Sequence, residues 1–244
     1  ARLLVELDAL ELASWIPMVL PVRRQLYPEL VRRLEAGTKL SASSTEIITG
    51  LTAAQLLGGI ADDPVVLAQA ASLSRQREFE LLSAALGKNR DGVCDELEKM
   101  LASQQKGILG ISGLVLKSIP SDVLAKMKHP ESRSVSRADA ARVLARILST
   151  LAFLGQPEHL WEALGKPHRE DLLAELLAAV SSHKVSMETL VRHYQKENNP
   201  LVKSSIVKMI GFHESEPISM DSGIRESFIS DLCKDYEFHP DPGL

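Results

Sequence analysis

The strongest constraint in this chain is the stretch 136–155, SRADAARVLARILSTLAFLG. Ala140, Val143, Leu144, Ile147, Leu148, Leu151 and Leu154 follow one another at the spacings of a 3.6-residue period, so the stretch reads as one amphipathic helix. Asp139, Arg142, Arg146 and Ser149 fall on the opposite side. Ser136 is placed to cap the start, with Asp139 three residues on as a capping-box partner. Gly155 stands where a left-handed C-cap is wanted, and Pro157 blocks continuation. A helix of this length spans about 27 Å, and its apolar stripe must be covered by other helices.

The rest of the chain is suited to supply them. Of 244 residues 45% are hydrophobic but only 4% aromatic. The core is therefore built from Leu, Ile, Val and Ala, which favours helix packing over an aromatic-rich β-sandwich. The formal charge of −4 disfavours general nucleic-acid binding, which calls for a basic protein. No apolar run is long enough for a membrane-spanning helix, so no membrane insertion is expected. Glu6, Asp8 and Glu11 interrupt the apolar start, which argues against a signal peptide. The two cysteines, Cys94 and Cys233, make no disulfide framework and have no metal-ligand spacing. A reducing compartment, cytoplasm or nucleus, is the expectation.

Read in order, the chain is a series of capped helical segments. Leu3, Leu7, Leu10 and Ile16 form a first stripe, with a break near Pro17 and Pro21. A second helix near 22–36 ends at Gly37, with Pro28 starting its main part or kinking it. Its Arg23, Arg24, Arg32 and Arg33 form a solvated face or a docking surface for an acidic partner. Ser43 and Glu46 make a capping box for a helix near 44–60, in which Gly50, Gly58 and Gly59 imply close helix–helix approach. Asp63 and Pro64 start a helix near 64–73. Helices near 75–86, stopped at Gly87, and 90–104 follow, the latter burying Cys94 as a small core residue. A short helix is expected at 121–127.

The polar stretch 128–136 is an exposed linker that divides the chain into an N-terminal helical half, 1–127, and a C-terminal half, 137–238, with a loose tail at 239–244. In the second half, helices are expected at 157–164, from Pro167 to about 182, after Ser186 to about 197, from Asn199 and Pro200 to Gly211, and at 223–236. Glu170 and Asp171 meet the positive end of a helix dipole, and form no catalytic carboxylate pair.

No catalytic or metal motif stands out. The glycines at 107, 110 and 113 lack the Gly-Lys-Ser/Thr ending of a phosphate loop. No His-Glu-x-x-His, nucleophile elbow or Cys–His signature occurs. The reading is therefore of a non-enzyme with no catalytic, cofactor-binding or metal-binding residues, and no cofactor.

The segment 199–211, NPLVKSSIVKMIG, resembles the second helix of a HEAT repeat in Asn199, Pro200, Val202, Lys203, Ser205, Ile206, Ile210 and Gly211. Asp63, Pro64, Val65 and Val66 repeat its opening, with Leu67 in place of the basic residue. No fixed period runs through the rest. The expectation is an all-α protein of stacked antiparallel helix pairs, either an irregular HEAT-like solenoid or a multi-helix bundle. The resemblance implies a helical scaffold or adaptor that mediates protein–protein interaction within a larger complex. Two other readings are a pathogen interaction factor, such as a secretion-system regulator or viral structural protein, and an enzyme with a dispersed site. In the HEAT-like reading Val202, Ile206, Met209 and Ile210 face inward. Lys203 and Lys208, with Arg142 and Arg146, then form the candidate protein-binding residues, matched to a partner with an acidic surface.

Overall fold

The computed structural model describes residues 9–109, 137–165, 170–212 and 222–238. Among them every regular element is helical and there is no strand. The protein is all-α, its helices packed against one another. The elements are α1 (Ala9–Val19), a 3-10 turn (Leu20–Val22), α2 (Arg23–Gly37), α3 (Ser44–Ile60), α4 (Pro64–Leu73), α5 (Gln76–Lys88), α6 (Arg90–Leu109), α7 (Arg137–Phe153), α8 (Glu158–Gly165), α9 (Glu170–Ser182), α10 (Met187–Lys196), α11 (Pro200–Phe212) and α12 (Ser222–Phe238). Two compact units are present, Ala1–Ile147 and Leu148–Leu244. This division falls inside α7, whereas the sequence pattern puts it at 128–136. That segment, Leu3 and Leu7 of the first stripe, the expected helix at 121–127, the cap at Ser136, the helix start at Pro167 and the tail 239–244 lie outside the described residues.

In the first unit, α3 is the central element, packed between α2 and α5. Its glycines explain how. A Cβ on Gly37 would lie 2.5 Å from the Glu46 carbonyl oxygen and 2.9 Å from the Cα of Gly50. One on Gly58 would lie 2.2 Å from the Leu81 carbonyl oxygen. No side chain fits at either crossing, so backbone rests on backbone. At Gly59 a Cβ would meet only the end of the Ile16 side chain of α1, at 2.8 Å. Around these crossings Leu30, Leu34, Leu56, Leu57, Leu67, Phe79, Leu82, Leu86 and Leu97 are fully buried. Cys94 is buried among them, as its stripe predicts.

The helix ends are tied by side chains. Glu46 reaches back to the Ser43 amide at 2.8 Å while Ser43 Oγ accepts from the Glu46 amide, completing the capping box. Asp63 accepts from the Val65 amide and Pro64 takes the first position of α4. The Tyr27 hydroxyl lies 3.1 Å from the Ile60 carbonyl and 2.9 Å from an Asp62 carboxylate oxygen and shares its one proton between them, covering the C-terminus of α3. Arg75 donates to the Thr38 carbonyl at 2.6 Å, which closes α2. Glu78 accepts from the Arg75 amide; an arginine side chain has no acceptor, so only that half of a capping box forms.

Several boundaries differ from the sequence reading. Pro17 lies inside α1 and Pro28 inside α2, and the break between the two is the 3-10 turn. Pro28 and Arg24 are exposed, so the carbonyl that Pro28 leaves unbonded faces water. Gly87 does not stop α5, which ends at Asn89, whose amide and side-chain nitrogen both donate to the Ala85 carbonyl. α6 continues through Gly107 to Leu109.

Along α7, Leu144, Ile147, Leu148, Leu151 and Leu154 are buried as expected. Ser149, expected on the solvent side, is also fully buried, together with Ala145 and Thr150. Thr150 Oγ1 lies 3.1 Å from His183 Nδ1, on the turn after α9. The helix ends as Gly155 predicts, at φ 85°. The Gln156 amide donates to the Leu151 carbonyl and the Gly155 amide to that of Ala152, the Schellman pattern. The end of α9 repeats it with Lys184 at φ 53°. Beyond α7, Leu160, Leu164, Leu176, Val180, Leu190, Val191, Tyr194, Val202, Ile206 and Met209 are buried in the core of the second unit. Ser186 precedes α10 without a side-chain capping bond.

Candidate functional site

The expected basic residues do not share one environment. Arg142 Nη1 donates to Asp139 on its own helix at 2.9 Å. Arg146 Nη1 donates to the Leu73 carbonyl at 2.6 Å, so it caps the C-terminus of α4, where a positive charge also meets the negative end of the helix dipole. Lys203 Nζ bonds Asp235 of α12 at 2.6 Å and sits 4.9 Å from the centre of the Tyr194 ring. Lys208 is exposed. Five residues along a helix turn through about 140°, so Lys203 and Lys208 leave α11 on different sides.

Lys203 belongs to a network that fastens α10, α11 and α12. The Tyr194 hydroxyl donates to the same Asp235 oxygen at 2.8 Å, and burial first, then Asp235, raises the Tyr194 pKa. Tyr194 packs edge-on against Phe228, and Gln195 donates to Ser227 and Asp231. On the other side of α10, His193 stacks on Trp161 with ring centres 4.1 Å apart. Its Nε2 lies 3.2 Å from a Glu197 oxygen, close enough for an ion pair but without hydrogen-bond alignment. Burial lowers the His193 pKa against the opposing pull of Glu197. These groups hold helices together, and none is a nucleophile aligned with a base.

Three of the four arginines of α2 are ion-paired, two of them to one carboxylate. Glu29 accepts from both Arg32 and Arg33 at 2.7 Å, and its carboxyl is held at about 2, first by the Arg32 hydrogen bond. These residues, with Ala36, Thr45, Glu46 and Thr49, line a shallow open cleft between α2 and α3. Arg23 bonds Asp62, whose carboxyl is likewise held at about 2 by Arg23 and then Tyr27.

Exposed apolar side chains occur at several places among the described residues, including Leu40 at 84% and Ile48 at 62%, and two groups of them bear on binding. One runs from α1 across the 3-10 turn. Trp15 is 42% exposed and Met18 67%, and Leu20, Val22, Pro17 and Pro21 are exposed beside them. Hydrophobic periodicity assigns Ile16 to the core and says nothing of Trp15 or Met18, so this surface is not visible in the stripe. The other is a flank of α11, where Leu201 is 70% and Phe212 58% exposed. Among the described residues no cluster of His, Cys, Asp or Glu is placed to hold a metal ion, and no helix is long and apolar enough to cross a membrane. No protein-family model, curated protein or solved structure matches this chain.

Proposed function

We propose that this protein is a non-enzymatic helical scaffold or adaptor that binds another protein, with α10 and α11 as one HEAT-like pair. The observation that carries the reading is the apolar surface of Trp15, Met18, Leu20 and Val22, exposed beside a well-filled core. Exposed apolar side chains this close together in sequence, including an aromatic and a methionine, are the composition of binding surfaces. The HEAT-like pairing draws on α11 itself. Asn199 accepts from the Leu201 amide, Pro200 opens the helix, and Val202, Ile206 and Met209 are buried while Ile210 is half-buried.

A photo-crosslinking residue in place of Met18 tests this in cells that express the chain. Discrete adducts with one or a few proteins are expected, absent when the same residue replaces exposed Lys88. An adduct pattern identical at both positions would reject the apolar surface as a binding site.

A further inference from the structure

We infer that the flank of α11 carrying Leu201, Lys208 and Phe212 receives a partner helix that presents a carboxylate between two apolar side chains. The inference rests on the protein-binding reading above but uses a different surface. At 100° per residue, positions 201, 208 and 212 fall within about 40° of one another, so the three side chains form a single ridge. Their order is fixed: about 10.5 Å of rise separates Leu201 from Lys208, and about 6 Å separates Lys208 from Phe212. Val202, Ser205, Ile206 and Met209 anchor α11 in the core, which holds the ridge in place. Lys203, the other lysine of this helix, is engaged by Asp235 away from the ridge. Lys208 forms no hydrogen bond or ion pair among the described residues.

Charge complementarity selects the occupant. A purely apolar partner covering Leu201 and Phe212 would strand the ammonium between them, and burying an unpaired charge is costly. A partner that brings an anion to the middle of the contact pairs this charge, whereas one without it must leave the ammonium snorkelling to water. A ridge about 16.5 Å long, with side chains at helical spacing, is met along its whole length by another helix. The complementary pattern is apolar, acidic, apolar, with steps of seven and four residues in a parallel partner and the reverse in an antiparallel one. Both sets of steps return to one face of the partner helix. An anionic membrane or a nucleic acid would need several cations together, and this ridge has one.

A displayed library of helical peptides, selected on the full chain, tests the pattern without knowing the partner. Enrichment of an acidic residue at the stated spacing between two apolar ones is expected. By fluorescence anisotropy the enriched peptide should bind Lys208→Glu about three- to tenfold more weakly. Replacing the peptide's acidic residue with lysine should restore binding to Lys208→Glu. Leu201→Ser with Phe212→Ser should remove detectable binding, with the circular dichroism of each variant unchanged. Selection of peptides with no acidic preference, or equal binding by wild type and Lys208→Glu, overturns the proposal. So does sedimentation showing a dimer of the chain that Lys208→Glu dissociates, since the occupant would then be a second copy. Failure here with adducts persisting at Met18 removes the α11 site alone; loss of the Met18 adducts removes the protein-binding reading itself.

Discussion

Ser149 shows how one residue can escape a periodicity argument. It lies opposite the apolar stripe of α7, yet it is fully buried and its hydroxyl has no hydrogen-bond partner among the described residues. A buried polar group left unsatisfied costs about 1–3 kcal/mol. Ser149→Ala is therefore expected to raise stability by about 1 kcal/mol in urea unfolding; destabilisation by a similar amount would mean that the hydroxyl has a partner. Glu29 is the opposite case, a carboxylate held by two guanidinium groups. Its carboxyl is held at about 2, against an ordinary value of 4.5. Because the folded value is depressed, the stability it contributes is present above pH 4.5 and is lost as pH falls towards about 2. The side chain is a third exposed, so solvent screening limits the contribution to about 1 kcal/mol or less. Wild type and Glu29→Gln should differ in urea midpoint at pH 6 and converge near pH 2. A difference that stays constant with pH would count against the ion pairs.

Among the elements, α3 carries three glycines and is the centre of its unit. Its glycines weaken a helix taken alone, by about 1 kcal/mol each against alanine. Their value lies in contact with α2 and α5, and they invert the usual substitution rule. Gly58→Ala should destabilise by about 1–3 kcal/mol, because the added methyl meets the Leu81 carbonyl and the backbone must move. Gly87→Ala, with nothing within 4 Å of the new carbon, should instead stabilise by up to about 1 kcal/mol. Thermal unfolding of the two variants checks the opposite signs; equal shifts would remove the close crossing. What was legible at this scale was local. The Ser43–Glu46 box, the Asp63–Pro64 start and the Gly155 stop depend on residues a few positions apart, and all three are present. Lys184 in the left-handed region was not legible, since a lysine carries no turn signal. Nor were the partners of Arg146 and Lys203, which lie 73 and 32 residues away and are brought near only by folding. The candidate surface was therefore half visible: the lysines of α11 stood out in the sequence, but which one is left unpaired depended on Asp235.

At the scale of the whole molecule, composition and capping carried the all-α architecture, while the division within α7 had no local sign. A helix that ends one unit and begins the next shows no break in its own pattern. The backbone crossings of α3 with α2 and α5 have one more consequence, in the exchange of amide hydrogens with solvent. Where two helices touch through Cα atoms and carbonyls, no side chain can rotate aside to admit water, and opening one helix exposes the backbone of its neighbour. Local fluctuations are therefore suppressed, and exchange must await cooperative opening of the larger structure. The amides around Gly50 and Gly58 should accordingly be the slowest of the first unit, with protection that falls in step with its global stability as denaturant is added. Those of α1, whose residues from Trp15 to Met18 lie largely open to solvent, should exchange well before that opening.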